Sequence, residues 1–411
     1  MHLTLLTQYY APEVGAPQVR LSELAAHFVL NGHSVTVLTA MPNYPKGELH
    51  PGYGGFLRRD HQDRLKVIRT FIYPTQRATF IRRMTNYLSF TVSSAIAGSF
   101  LLERSDYLLV ESPPLFLGLS AVWLSRLKHA RFIFNVSDLW PESAVRLGVL
   151  RSDSLAFRLS ASLERFCYRS AWLITGQSKS ILSDINKRFP GCRTFHLSNG
   201  VDTRRFRPDQ TTEDARRTLN GNGKQVALYT GLHGLAQGLN QVLEAAASLT
   251  DVSSLQFVLV GDGPEKQTLV EQAKLQGLGN VHFLDSRASH EIPALTASAD
   301  ILLVPLKMYI PGAVPSKLYE AMASGRPVVL VAEGEAADIV REHQAGIVVR
   351  PGDIRGLVEA IRTLYAQPSL REKLGGNGRR AAEQRFDRTT IATQFIDYLE
   401  AGLSASPHNR N

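Results

Sequence analysis

Short apolar runs alternate with longer amphipathic stretches along most of this chain, a pattern that predicts repeated strand and helix units in a parallel sheet. In the first half the runs predict strands at His2–Thr7, Ser34–Thr39, Val67–Phe71, Tyr107–Val110, Arg131–Val136 and Trp172–Thr175, with helices such as Gln18–Asn31 and Leu115–Lys128 between them. The second half repeats the plan, with strands at Val226–Thr230, Phe257–Val260, Val281–Leu284, Ile301–Val304, Val328–Val331 and Ile347–Val349, although no sequence repeat relates the halves. Between them Phe189-Pro190-Gly191-Cys192 has the turn residues of a linker. The expectation is an α/β protein of two Rossmann-like, doubly wound parallel-sheet domains facing a central cleft, residues 1–188 and 189–388. An amphipathic helix over Thr389–Leu403 and a polar tail, Ser404–Asn411, follow. Ligands of such sheets bind beyond the carboxyl ends of the strands, so the loops after the strands should carry the chemistry.

A length of 411 residues supports that division, because it exceeds what one core usually supports. The 44% of hydrophobic and 20% of charged residues exclude extended disorder. Two cysteines, Cys167 and Cys192, make no disulfide framework, and no signal peptide precedes the first strand; both features predict a cytoplasmic protein. A net charge of +9, from 46 basic and 37 acidic residues, points to nucleic acid, an anionic membrane surface or a phosphorylated substrate. Readable nucleic-acid signatures are absent, which argues against the first. Met84 to Leu102 carries no charge and follows Arg77, Arg82 and Arg83, yet Ser, Thr and Asn interrupt it too often for a spanning helix. Two readings stand for it: an interfacial or acceptor-facing amphipathic segment, or an ordinary helix packed on a sheet.

Four loops carry candidate chemistry. After the first strand, Tyr9-Tyr10-Ala11-Pro12-Glu13-Val14-Gly15-Ala16-Pro17 leads into a helix containing Arg20, and such a glycine turn lets an anion approach a helix N-terminus. The second half opens with Tyr229-Thr230-Gly231-Leu232-His233-Gly234-Leu235-Ala236-Gln237-Gly238, read either as a ligand loop or as tight strand-to-helix packing. Val260-Gly261-Asp262-Gly263-Pro264-Glu265 is either a ligand contact or a turn in which Asp262 caps the next helix. The most telling stretch is Val314-Pro315-Ser316-Lys317-Leu318-Tyr319-Glu320-Ala321-Met322-Ala323-Ser324-Gly325-Arg326-Pro327. A pyrophosphate can dock on Ser316, Lys317 and the first-turn N–H groups without a metal. Glu320, one turn on, can accept both hydroxyls of a ribose. The chain has no Asp-x-Asp pair and no His/Cys cluster at ligand spacing, so neither a metal nor another cofactor is expected.

In order along the chain, the Gly15 loop with Gly32-His33-Ser34-Val35-Thr36-Val37, Ser198-Asn199-Gly200-Val201-Asp202 with Phe206-Arg207-Pro208, Gly261-Asp262-Gly263-Pro264 and the segment ending Glu320-Ala321-Met322-Ala323-Ser324-Gly325-Arg326-Pro327 resemble the retaining glycosyltransferases of family four. The resemblance spans nearly the whole length and implies the GT-B architecture, with the last helix crossing back onto the first domain. Met41-Pro42-Asn43-Tyr44-Pro45, Asp138-Leu139-Trp140-Pro141-Glu142 and Pro315-Ser316-Lys317-Leu318 look like the subgroup that adds sugars, often acetamido sugars, in bacterial O-antigen and capsule assembly.

The resemblance implies transfer from a nucleoside diphosphate sugar, UDP-linked by family habit, to a lipid-linked saccharide, with a peripheral seat on the inner membrane face. The implied catalytic residues are Asp138, Lys317 and Glu320; the implied donor-binding residues are Gly15, Ala16, Arg20, Gly231, Gly234, Gln237, Gly261, Asp262, Ser316 and Leu318. For Asp138 the competing reading is a helix cap before Trp140-Pro141-Glu142. There are departures from the family pattern. The first of the family's two spaced glutamates is Gly312 here, and the arginine and lysine that grip the pyrophosphate fall on Leu232 and Gln237, which leaves Lys317, Arg20 and backbone N–H groups to compensate. Two further readings therefore stand beside the first: a transferase for a soluble acceptor, and a non-catalytic nucleotide-sugar binder that assembles with other enzymes.

Overall fold

The computed structural model describes residues 1–404 apart from Val14, Pro45, 77–79, Leu147, Val149 and 220–222. Arg77, Pro45 and the tail beyond Ser404 thus lie outside the described residues. The strands are β1 (His2–Thr7), β2 (Ser34–Ala40), β3 (Leu57–Gln62), β4 (Leu65–Thr70), β5 (Tyr107–Ser112), β6 (Arg131–Val136), β7 (Leu173–Gly176), β8 (Thr194–His196), β9 (Gln225–Thr230), β10 (Leu255–Val260), β11 (Val281–Leu284), β12 (Ile301–Pro305), β13 (Val328–Val331) and β14 (Gly346–Val349).

They form two sheets. The first runs β3-β4-β2-β1-β5-β6-β7-β8 and the second β11-β10-β9-β12-β13-β14. Every pair is parallel except β3 with β4. Both faces of each sheet are covered, which is why the strands read as continuous apolar runs. In the first sheet Leu6, Leu38, Leu108 and Phe134 fill one core, while Leu5, Val37, Leu109 and Ile133 fill the other. In the second, Val226, Leu228 and Val258 face one core and Ala227, Tyr229 and Phe257 the other.

The chain divides into two compact units, residues 1–199 with 389–411, and 200–388. The boundary lies eleven residues beyond the expected 188/189. The reason is β8, unforeseen because it is only three residues long; it pairs with β7 after the Pro-Gly turn and keeps that segment in the first sheet. β3 was also unforeseen. Its sequence, LRRDHQ, has no apolar alternation, and it forms only as an exposed antiparallel edge on β4.

Helix Arg388–Ser404 belongs to the first unit beyond its opening residue. Its Phe395, Ile396 and Leu399 are buried with Leu3 and Leu5. The Tyr107 hydroxyl donates to the Leu399 carbonyl at 2.7 Å, and Arg131 donates to that of Gly402 at 2.7 Å. Helices α1 (Ala16–Leu30), α2 (Phe80–Leu101) and α3 (Leu117–Leu127) cover the same unit. Among the described residues no helix is long and apolar enough to cross a membrane.

Candidate active site

In the second sheet β9 lies between β10 and β12, so the strand order reverses there, the usual ligand position in such sheets. The loops after β9 and β10 lock together at that point. Gly231 donates its N–H to the Val260 carbonyl at 2.8 Å, and a Cβ on Gly261, whose φ is 149°, would lie 1.9 Å from the Gly231 oxygen. Only glycine allows that approach. His233 donates its N–H to the Asp262 carbonyl, and its own carbonyl accepts from Glu265, both at 2.9 Å. Asp262 is exposed and accepts the N–H of Gly263 at 2.8 Å, so it closes its own turn. Helix Lys266–Leu275 takes Glu265 at its N-cap position without a side-chain bond, so capping is not what Asp262 does.

Across this turn lies Lys317, in the first turn of helix Ser316–Ala323. A Cβ on Gly231 would sit 2.0 Å from its Cε and 2.6 Å from its Nζ, so the lysine stem occupies the space that the missing side chain leaves. The ammonium is 5.7 Å from the centroid of the Tyr229 ring. Burial pulls the Lys317 pKa below its ordinary value, and Glu320 opposes that shift. Glu320 is partly exposed, and among the described residues its carboxylate has no hydrogen-bond partner.

Leu318 departs from its expected donor-binding role. Its side chain is fully buried in the core, and its N–H is already given to the Pro315 carbonyl at 3.0 Å. Ser316 stays partly exposed. Gly312, where the family's first glutamate would stand, is buried with φ 76°, a backbone a glutamate adopts only with strain. Leu232 points into solvent in place of the family arginine. The Gln237 oxygen is buried without a partner, 2.8 Å from where a Gly234 Cβ would stand.

In the first sheet the order reverses at β1, between β2 and β5. Gly15 is the N-cap residue of α1, with extended backbone and no side chain to cap the helix. Arg20 faces a different task from the one expected. It is buried and donates to Glu111 at 2.6 Å, to Ser137 at 2.9 Å and to Asn199 at 2.7 Å. Glu111 also accepts from Asn135, which in turn accepts from Thr175 at 2.6 Å. The charge of Arg20 is thereby neutralised inside the unit and does not stand in for the missing family cations.

Two family models match the chain: Glycosyl transferase 4-like domain over residues 15–194 and Glycosyl transferases group 1 over residues 210–381. The chain belongs to the family-four glycosyltransferases. WcaI of Escherichia coli K12, assigned as a colanic acid biosynthesis glycosyl transferase, is 27% identical over 94% of this chain and 97% of its own length. Sucrose-phosphate synthase from Thermosynechococcus elongatus shares the GT-B fold, with a TM-score of 0.78 at 18% identity over 98% of this chain and all of its own. Anabaena HepE, solved in complex with UDP, superposes with a TM-score of 0.69 at 19% identity over 98% and 100%.

In this glycosyltransferase Asp138 follows β6 by two residues, and helix Glu142–Arg146 starts four residues later. It therefore lies outside the N-cap position. Burial raises its pKa, with the neighbouring Ser143 hydroxyl and the Leu139 N–H offsetting part of the shift; Ser143 Oγ itself has no partner in hydrogen-bond geometry. Glu13 is buried and accepts from the N–H groups of Asn43 at 2.7 Å, Tyr44 at 2.8 Å and Tyr10 at 3.1 Å. It thus ties the loop after β1 to the Met41-Pro42-Asn43-Tyr44 motif.

Sequence reasoning passed over three residues. Glu13 and Glu111 carry no local motif, because their partners are far along the chain. His233 is fully buried, and among the described residues neither ring nitrogen finds a partner; it lies tilted against Tyr229 and edge-on to Phe283, with its pKa lowered to about 4 by burial, Lys266 and Lys317 adding to the shift and Asp262 opposing it. Its place inside a glycine-rich turn was the available signal.

Proposed function

We propose that the chain transfers a sugar, of the acetamido class in the finer reading, from a UDP-linked donor to a lipid-linked saccharide in bacterial surface-polysaccharide assembly, with retention at the anomeric carbon and without a metal. The observation that carries this reading is the lysine laid over Gly231 beside an unbonded Glu320. It gives a cation for a pyrophosphate and an acceptor for a ribose diol on consecutive turns of one helix. Full-length similarity to WcaI supports the polysaccharide context, and HepE supports UDP as the base-bearing group.

Glu320 accepts the ribose hydroxyls, a charge-assisted contact worth roughly 1.5–3 kcal/mol. Lys317, Ser316 and the N–H of Gly234 stabilise charge on the departing diphosphate, an electrostatic contribution that grows as the bond breaks. The C1–O bond to phosphate breaks while the acceptor oxygen bonds C1 on the same face, and the departing phosphate oxygen takes the acceptor proton. We assign Asp138 to the reacting sugar or the acceptor hydroxyl. Its raised pKa suits a group that shares a proton. Gly261 and Asp262 shape the turn that holds Gly231, and Gln237 replaces the family lysine with a neutral donor to phosphate.

The test is calorimetry with a panel of nucleoside diphosphates and UDP-sugars in EDTA, followed by transfer or hydrolysis assays with any donor that binds. Selective binding of one UDP-sugar with metal-independent release of UDP is the expected result. Absence of binding by every nucleotide overturns the reading.

A further inference from the structure

We infer that the outer face of α2 and α3 is the surface by which this chain docks on an anionic lipid bilayer. The exposed apolar positions of α2 follow one helical stripe, Leu88, Val92, Ile96 and Phe100, each four residues after the last, and Ile81 extends it toward the helix start. Phe100 is 84% exposed and Ile81 76%. Across a groove of about 760 Å³, Phe56 and Phe71 at the β3–β4 edge face the stripe with their rings 5.6 Å apart. On the neighbouring α3, Leu119, Trp123 and Leu127 make a second exposed stripe at the same spacing. An ordinary surface helix puts polar residues on such positions, and contiguous apolar area of this kind marks an interaction face.

The hydroxyl groups that interrupt the apolar run do not oppose entry into lipid. Thr85 donates to the Ile81 carbonyl at 3.0 Å, Ser89 to Asn86 at 2.8 Å, Ser99 to Ala95 at 2.8 Å, and Ser93 to Phe71. The Trp123 indole N–H is given to Ser99 at 2.9 Å. Each donor is satisfied inside the protein, so burial in an apolar phase strands none of them.

Charge selects the occupant. Arg82 and Arg83 open the helix and Arg59 stands on the edge strand, all exposed, and no acidic residue occurs between residues 80 and 102. Exposed arginines at the rim of an apolar face fit anionic headgroups above acyl chains. The acids nearest this face are already paired within each copy, Asp60 on β3 with Arg58 at 3.2 Å and Glu103, beyond the far end of the helix, with Lys66 at 2.6 Å, so a second copy offers the arginines little. The inference deepens the lipid-linked part of the proposed function and is independent of its donor chemistry.

Flotation of the full chain with phosphatidylglycerol/phosphatidylcholine vesicles tests it, with UDP binding measured on the same samples. Binding should weaken with salt. Because each basic residue near an anionic leaflet multiplies affinity by about fivefold, Arg82→Gln/Arg83→Gln should lower it roughly 25-fold. Ile96→Glu/Phe100→Glu should abolish flotation with UDP binding unchanged, which also certifies that the variant is folded. Leu275→Glu, at an equally exposed position of the second unit, should float like the wild type. Failure of the wild type to float, equal flotation of the Ile96→Glu/Phe100→Glu variant, or a wild-type dimer in sedimentation that this variant dissolves would each overturn the inference. Loss of UDP binding in the wild type would overturn the donor reading alone.

Discussion

Lys317 lies across Gly231 so closely that a single added carbon on the glycine would meet its Cε at 2.0 Å. The lysine therefore reaches its place through an absence of side chain two strands' loops away, and the two residues form one functional element. Neither supplies the geometry alone.

Gly231→Ala should thus act as a lysine variant, with the added backbone strain of a side chain at φ 138°. The new methyl group displaces the ammonium from the site proposed for the diphosphate, and turnover should fall by about 10²- to 10³-fold, the range seen when a fixed electrostatic partner is removed. Lys317→Ala should fall similarly. Steady-state kinetics of the Gly231→Ala/Lys317→Ala double variant should show little further loss; a multiplicative loss would mean the residues act separately.

Glu320→Ala should weaken UDP binding by about 10- to 100-fold, the equivalent of one charge-assisted contact. Calorimetry with a 2′,3′-dideoxy analogue separates the ribose role from general destabilisation. Wild-type protein should lose affinity for the analogue, whereas Glu320→Ala should bind both nucleotides equally.

Most of the architecture was legible from apolar runs because parallel strands covered on both faces carry their burial as local hydrophobicity; β1, β6, β11 and β13 fall on the runs that predict them. The elements that escaped have no such signal: β3 is polar on both faces, and β8 is three residues long. The site divides in the same way. Lys317 and Glu320 sit in one continuous motif and were readable. Arg20 was readable as a residue but not as a function, because Glu111, 91 positions away, decides where its charge goes. Leu318 belonged to the motif yet serves the core, since on a short helix every third or fourth residue must face the sheet.

The Arg20–Glu111 pair should be costly to break from one side. Arg20→Met leaves a buried carboxylate whose remaining donors are Asn135 and Ser137, and removing one partner of such a pair costs about 3–5 kcal/mol. Urea unfolding should show that loss. The double variant Arg20→Met/Glu111→Gln should recover about 1 kcal/mol or more of it. Equal stability of the single variant and wild type would show the network to be idle.

His233 should make the protein acid-sensitive. Folded, its imidazole stays neutral down to about pH 4, whereas in the unfolded chain it takes a proton near its ordinary 6.5. Between those values the unfolded state holds more protons, so stability falls as pH falls, by up to about 1.4 kcal/mol per pH unit from this group. Thermal unfolding of wild type and His233→Gln between pH 7 and 4 should converge toward the acid end, as the wild type loses stability that the variant has no imidazole to lose. Parallel curves would remove His233 from the acid response.

Lys317 offers the most direct test of the diphosphate site. Its pKa in the free protein is held down by burial, with Glu320 opposing. A diphosphate beside it adds negative charge and must raise that pKa again. Between the two values donor binding therefore takes up a proton, and above about pH 8 the nucleotide contributes nothing to the uptake because its terminal phosphate is already ionised. Calorimetric titration of UDP at alkaline pH in two buffers of different ionisation enthalpy should give different apparent heats for wild type. Lys317→Met should abolish the difference. The same substitution removes a charge that burial disfavours, and that penalty is present at pH 7 and relieved only as pH rises through the folded pKa. Lys317→Met should accordingly raise stability at pH 7 by about 1 kcal/mol, a gain expected where a strained functional residue is removed. Buffer-independent heats in the wild type across the alkaline range would mean that the ammonium does not meet the diphosphate.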